Sequence, residues 1–392
     1  MILLKAKLVK LGELYKVTSG GTPSRKNKEY YIDGNIPWIK TGDLKTMYLS
    51  QASEYITKLG LQKSSAKLFP KGTVLIAMYG ATIGNCSILK IDSTTNQACA
   101  AFQPIDEIMP EYLYYYLLSI KEKLISLGVG GAQPNISIGI LKNIDIPLIS
   151  LEQQSKIVSI LNKTQGLINK RNNQIELIDQ LTQSVFLEIF GDPLKTKWEQ
   201  EKLQDITDVR DGTHDSPKYI QNGYPLVTSK NIKDGKISLE DVNYISEDDY
   251  ISINKRSKVD IGDIIMPMIG TIGNPVIVKE EPNFAIKNVA LIKFKPEYPI
   301  NSVYLKYLLD SHFLESILNK AGRGGTQKFL SLKDIRNMMI PLPPLRLQEK
   351  FVGIIEDINK NKEILEQSLN GLKDIFNSLM QRAFRGKLFS DI

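Results

Sequence analysis

The sequence predicts an α+β protein: two similar mixed α/β domains joined by two long helices that pair with each other. Three observations predict it. First, a segment returns. GVGGAQPNISIGILKNIDIP at 128–147 is answered by GRGGTQKFLSLKDIRNMMIP at 322–341, and at a constant offset roughly 14 of 34 positions agree without a gap. Second, each copy runs into a long stretch almost free of glycine and without proline, with an apolar stripe near period 3.5. Third, the residues upstream of each copy alternate short apolar runs with Gly, Asn and Asp turns, which reads as short strands.

Taken in order, these give a first domain at 1–150, a long helix at 151–192, a second domain at 193–344, and a second long helix with a tail at 345–392. The repeat extends upstream with small shifts. GTVLIAMYGATIGN at 72–85 answers GDIIMPMIGTIGN at 262–274, and IPWIKTGDL at 36–44 answers YPLVTSKNI at 224–232. Strands are expected at 73–78, 263–268, 274–279 and 289–294, and one helix per domain at 111–127 and 302–321. The acidic run Glu247-Asp248-Asp249 reads as a solvated loop.

The long helices follow from their pattern. The stripe of the first contains Ile157, Ile160, Leu161, Ile178, Leu181 and Val185; that of the second contains Phe351, Ile354, Ile358, Leu372, Ile375 and Leu379. Proline before each stretch marks an extended entry, and glycines 191 and 386 mark the ends. At 1.5 Å per residue each helix would be roughly 57 Å long, which favours a coiled coil over packing on one domain. Arg171 and Gln174 interrupt the first stripe, either as a polar layer that fixes register or as a solvated kink.

Composition excludes several classes. With 42% hydrophobic residues, sizeable cores are available. Cys86 and Cys99 lie in apolar runs and read as buried, reduced thiols; neither C-x-x-C nor a Cys/His cluster points to zinc. The lysine-interleaved start and the lack of long apolar runs lead us to expect a cytoplasmic protein with no membrane partner. The sequence contains no phosphate-binding G-x-x-x-x-G-K-S/T loop, no dinucleotide fingerprint after a strand and no nucleophile elbow. The two histidines, His214 and His312, lie in one half only. A binding protein without catalytic or metal residues is the expectation.

The net charge of +7 suits a nucleic-acid partner, although it is uneven: about +6 in residues 1–150 against about −1 in 198–344. Paired polar loops hold the side chains that read base edges, namely Arg and Lys for guanine, Asn and Gln for adenine, and Ser and Thr for either. In the first half the candidates are Ser19, Thr22, Ser24, Arg25, Lys26, Lys28, Lys40, Thr41, Tyr79, Thr82, Asn96, Gln97, Gln133 and Asn135. In the second they are Thr213, His214, Ser216, Lys218, Thr228, Ser229, Lys230, Asn231, Thr271, Lys287, Asn288, Arg323, Gln327 and Lys328. Each is also ordinary turn chemistry, and the Gly-Gly-x-Gln segments read equally as turns that feed the last strand. Residues shared by the two copies suit the scaffold; sequence readout belongs to positions that differ.

The arrangement resembles the specificity subunit of type I restriction-modification enzymes over essentially the whole chain. The residues that carry the resemblance are the Gly-Gly-x-Gln segments, the Ile-Pro-Leu runs at 146–148 and 340–342, and the Leu-x-x-Gln pairs Leu151/Gln154 and Leu345/Gln348. The opening LGELYKVTSGGTPS and IPWIKTGDL add to it. The resemblance implies two target-recognition domains on an antiparallel coiled coil. Each would read one half of a bipartite, asymmetric site in double-stranded DNA. The helices would set the spacing and dock two modification subunits, with Phe186, Phe190 and Phe384 as docking patches. S-adenosylmethionine would sit in those methyltransferase partners and no cofactor in this chain; motor-nuclease subunits would complete the assembly. The competing readings are a helical interaction scaffold with two ligand- or protein-binding domains, and a recognition arm of a related bipartite restriction enzyme.

Overall fold

The computed structural model describes residues 7–128, 135–233, 235–269, 272–320 and 329–388. The chain divides into two compact units. The first comprises residues 1–172 and 367–392, the second residues 173–366. Each unit therefore takes one part of each long helix.

In the first unit, a five-stranded sheet runs Thr18–Ser19, Cys99–Phe102, Val74–Ala77, Cys86–Leu89, Tyr48–Leu49. The middle three strands are buried at every position, so they read as continuous apolar runs rather than alternating ones. A four-stranded sheet has the order Glu54–Ile56, Ile36–Ile39, Ser93–Thr95, Leu68–Phe69. Its Ile36–Ile39 strand pairs in parallel with Ser93–Thr95, Trp38 opposite Thr94. Lys7–Lys10 pairs antiparallel with Asp145–Leu148. Both cysteines are buried free thiols, and burial pushes each up to about 12.

The second unit repeats this plan. Thr207–Asp211, Val289–Phe294, Ile264–Pro267 and Val276–Ile277 form one sheet, and Asn243–Ile245, Tyr224–Val227 and Ala285–Ile286 another. Tyr224–Val227 pairs in parallel with Ala285–Ile286, as its counterpart does in the first unit. Gln200–Lys202 pairs with Met339–Pro341.

The single helices expected per domain are each broken in two. Pro110–Ser119 and Lys121–Ser126 meet at Ile120, which leaves helical geometry, and Ser302–Leu309 and His312–Lys320 meet at Asp310 and Ser311. The Ser311 hydroxyl accepts from the Phe313 N–H at 3.2 Å, so it restarts the chain as a cap. The acidic run at 247–249 is not a loop: it opens the helix Glu247–Ser257. Ser246 caps it by accepting from the Asp249 N–H, and carboxylates in a first turn favour the positive end of the helix.

The long helices are Leu151–Phe190 and Leu345–Phe384. Both run unbroken, the first straight through half-buried Arg171 and exposed Gln174, and glycines 191 and 386 come after their ends with φ of 77° and 71°. In the second unit the helices touch in antiparallel order. Lys362 pairs with Asp179 at 2.5 Å, and Phe351 packs edge-on against Phe186 and Phe190, at centroid distances of 5.6 and 5.3 Å. In the first unit, Tyr115 joins both helices: its hydroxyl donates to Asn162 Oδ1 at 2.6 Å and its ring lies 6.1 Å from that of Phe376.

The expected stripe needs two corrections. Leu181 and Ile375 are about half exposed and do not line the seam; Ile157, Leu161 and Phe351 are buried, and Ile160, Ile178, Val185, Ile354, Ile358, Leu372 and Leu379 half-buried. A 3.5 repeat drifts around a 3.6-residue helix, so a strict heptad reading leaves the true line within a few turns. That line also includes buried Thr164 and Thr182. Each threonine hydroxyl donates to the carbonyl four residues back, at 3.0 Å, which satisfies it inside an apolar seam. Two of the three phenylalanines expected on docking patches are packed inside instead, and the third, Phe384, is half-buried. Phe186 and Phe190 are buried against Tyr304 and Phe351, and Phe384 lies against Tyr112 and Tyr116.

One latch occurs identically in both units. Fully buried Gln154 accepts from the Met109 N–H at 2.9 Å and donates to the carbonyls of Glu107 and Ile149 at 2.8 and 2.9 Å. Fully buried Gln348 accepts from the Asn301 N–H at 2.8 Å and donates to Pro299 and Pro343 at 3.0 and 2.9 Å. Beside them, the Tyr112 and Tyr304 hydroxyls donate to the Pro147 and Pro341 carbonyls at 2.8 and 2.7 Å. The Leu-x-x-Gln signature is thus the bolt between long helix and globule.

Candidate nucleic-acid interface

In each unit the two parallel strands end side by side and hand the chain to polar loops. Asn96 N–H donates to the Ile39 carbonyl at 3.0 Å, and its equivalent, Lys287 N–H, to the Val227 carbonyl at 2.9 Å. The incoming loop joins them: Gly21 N–H donates to Thr95 O at 2.8 Å, and Thr213 N–H to Ile286 O at 3.0 Å. Just before those donors sit Gly20 and Gly212. A Cβ on either would lie 2.0 Å from Thr95 O or 2.4 Å from Ile286 O, so only glycine admits this approach.

On this common frame the next side chains differ. In the first unit the exposed Thr22 hydroxyl bonds the Oε1 of exposed Gln97. In the second, His214 Nδ1 lies 2.9 Å from Asn288 Oδ1, while its Nε2 lies 2.7 Å from Asp211 Oδ2. Both partners are acceptors, so both contacts are hydrogen bonds only when the ring is protonated. The hydrogen bond to Asn288, then that to Asp211, raises the His214 pKa above its ordinary value.

Around each pair stands an arginine held by a carboxylate. Arg25 Nη2 pairs with Glu54 at 2.6 Å, and its guanidinium lies 4.5 Å over the Tyr31 ring and 4.9 Å from that of Trp38. Lys40 pairs with the other oxygen of Glu54 at 2.6 Å. Lys40 first and Arg25 second hold Glu54 below the usual carboxylate range. In the second unit Arg256, from the end of the helix Glu247–Ser257, pairs with Asp211. More than half of each arginine side chain is exposed.

The remaining candidates divide. Ser24, Lys26, Lys28, Tyr79, Asn135, Ser216, Lys218 and Lys230 are exposed, and Ser19, Thr41, Thr82, Asn96, Thr213, Thr228, Ser229 and Asn288 half-buried. Asn231 is only 5% exposed, and its amide is engaged by the fold: it accepts from the Thr228 N–H and donates to Ser238 O and Asp241 O. Asp43 closes the equivalent turn by accepting from the Lys40 N–H at 2.8 Å. Lys287 is 9% exposed and donates to Ser216 Oγ at 2.7 Å. Gln133, Thr271, Arg323, Gln327 and Lys328 lie outside the described residues, as do the Gly-Gly-x-Gln segments. Immediately downstream of those segments the two units are alike: bridges Tyr79–Asn135 and Ile269–Phe329, then short helices capped by Ser137 and Ser331.

Glu54 and Arg256 were not legible as site residues. Glu54 lies 29 residues from Arg25 and Arg256 lies 45 from Asp211, and Arg256 reads as an ordinary basic helix end. Among the described residues, no group of three or more His, Cys, Asp or Glu side chains could hold a metal ion, and no helix is long and apolar enough to cross a membrane.

Two copies of one frame, each presenting different polar side chains beside paired helices, define a bipartite recognition protein. The chain belongs to the family described as the type I restriction modification DNA specificity domain, whose profile matches it twice, at residues 5–177 and 195–374. It is 29% identical over 415 residues to the type I restriction enzyme MjaIX specificity subunit of Methanocaldococcus jannaschii, covering 97% of this chain and 92% of that one. It is 20% identical over 392 residues to the EcoKI specificity subunit of Escherichia coli, covering 92% and 84%. In fold it is similar to a chain from a structural study of complex assembly and conformational transition of the type I restriction-modification system. That match has a TM-score of 0.65 at 20% identity, over 99% of this chain and 100% of that one. A second likeness is to the type I S subunit from M. genitalium, with a TM-score of 0.51 at 17% identity and 98% of each chain covered.

Proposed function

We propose that this chain is the DNA-reading subunit of a type I restriction-modification complex, and that it contributes recognition rather than catalysis. Each domain reads one half of a bipartite, asymmetric duplex site. The carrying observation is the pair of equivalent loop clusters on a shared frame, Thr22–Gln97 in one unit and His214–Asn288 in the other. A shared frame presents each cluster to the groove in the same way; unlike side chains make the two half-sites unlike.

The near-neutral second half does not weaken this reading, because local placement supplies what net charge does not. Asp211 collects Arg256 and His214, and Lys287 donates to Ser216 of the same loop, so cationic and amide groups converge there. The exposed helix residues Leu167, Leu177 and Ile364 suit docking of two modification subunits, which would bring S-adenosylmethionine, and motor-nuclease subunits would join that assembly. A localisation in the cytoplasm, with the host DNA, accords with this role.

The test is the methylated motif of the host genome. Deleting this chain removes a bipartite motif, and the purified complex binds that motif with an affinity that falls steeply as salt rises. Removing one turn from each long helix, about 5.4 Å against about 3.4 Å per base pair, shortens the unread spacer by one to two base pairs. A motif that survives deletion, or DNA affinity indifferent to salt, refutes the proposal.

A further inference from the structure

We infer that each domain reads an adenine through a buttressed carboxamide, Gln97 in the first and Asn288 in the second. The inference rests on the DNA-reading function proposed above and assigns its specificity-determining side chains. Both residues stand at the same place, one position beyond the backbone bond that closes the parallel strand pair. Of all the side chains presented there, they alone keep the same functional group while changing its reach by one methylene.

The geometry leaves the reading edge of each amide open. Thr22 engages Gln97 Oε1 and His214 Nδ1 engages Asn288 Oδ1, and each oxygen retains a second lone pair. Among the described residues, neither amide nitrogen donates to a protein acceptor. One acceptor and one donor, fixed in plane, match the N6 amino group and N7 of adenine in the major groove. The buttress sets which end of the amide points which way, so it selects adenine over bases that present other patterns.

The backbone supports the same assignment. Gly20 and Gly212 hold the buttress loops against the strand ends with no room for a side chain. Asn288 adopts φ of 55°, a left-handed conformation that asparagine tolerates better than most residues. The main chain is thus bent to present an amide whose oxygen the neighbouring imidazole already holds.

The experiment selects duplexes from a randomised library with the complex co-purified with its modification subunits, as wild type and as Gln97→Ala, Asn288→Ala and Gln97→Glu. In Gln97→Ala, discrimination for adenine falls about 10- to 100-fold at one position of one half-site, the worth of one bidentate contact. In Asn288→Ala the same loss falls in the other half-site. Gln97→Glu moves the preference at its position from adenine to cytosine, since a carboxylate accepts from the cytosine amino group. An unchanged motif in both alanine variants, or an equal loss across every position of a half-site, overturns the inference and leaves the DNA-reading function standing. A wild-type complex that selects no bipartite motif overturns both.

Discussion

The Gln154 latch allows a stability prediction to be worked from its contacts. Gln154→Leu keeps the side-chain volume and removes three hydrogen bonds of 2.9, 2.8 and 2.9 Å. It leaves the Met109 N–H and the carbonyls of Glu107 and Ile149 buried beside an apolar side chain. At about 1 kcal/mol or more per abandoned group the loss is about 3–5 kcal/mol. The gain from burying leucine offsets about 1 kcal/mol, so about 2–4 kcal/mol remains. That is a large share of the ~5–15 kcal/mol that holds a typical domain. Two tryptophans make the assay specific: Trp38 lies in the first unit and Trp198 in the second. Urea unfolding followed by Trp38 fluorescence in a Trp198→Phe background reports the first unit. Gln348→Leu, read by Trp198 in a Trp38→Phe background, loses a similar amount. A Trp38 transition that moves by less than about 1 kcal/mol refutes the reasoning, since the latch would then be geometry without energetic weight.

Other contacts give further expected outcomes. Phe190→Ala costs about 3–5 kcal/mol in the second unit, because the ring is buried among Phe186, Tyr304 and Phe351; Phe384→Ala costs less in the first, where the ring is only half-buried, and calorimetry ranks the two. Gly212→Ala places a methyl 2.4 Å from Ile286 O, so it displaces the loop, and the complex loses affinity for its DNA by more than tenfold in a filter-binding titration. His214 titrates above 6.5 in the folded chain, so its stabilising effect is full below that pH and fades as pH rises through the folded value. NMR resolves this directly, since the chain has only two histidines. Glu54→Gln frees Arg25 and Lys40 from a shared carboxylate and steepens the salt dependence of binding.

The repeat, the long helices, the glycine stops and the Leu-x-x-Gln signature were legible because each is a local pattern. The Gln154 latch was legible as a signature but not as a mechanism: its partners lie at Glu107, Met109 and Ile149, and only folding brings them together. The helix seam was half legible. Thr164 and Thr182 belong to it because their hydroxyls bond back along the helix, and a purely apolar stripe passes over them. The same stripe placed Leu181 and Ile375 inside, where the drift of a 3.5 repeat leaves them outside. Among the candidate readers, Asn96, Gln97, Lys287 and Asn288 follow the parallel strands directly, whereas Asn231 closes a turn. The carboxylates that organise the arginines come from distant strands, and no spacing rule connects them.

The threading of the chain carries a consequence for its birth on the ribosome. The aromatic face formed by Tyr112, Tyr115 and Tyr116 is covered by Phe376 and Phe384, which are translated long after it. At ~5–20 residues per second, the ~260 residues between Tyr116 and Phe376 keep that face waiting for roughly 13–52 s. The half made first is the half sealed last, so a nascent chain is exposed to chaperones and to premature self-association until the helix Leu345–Phe384 arrives.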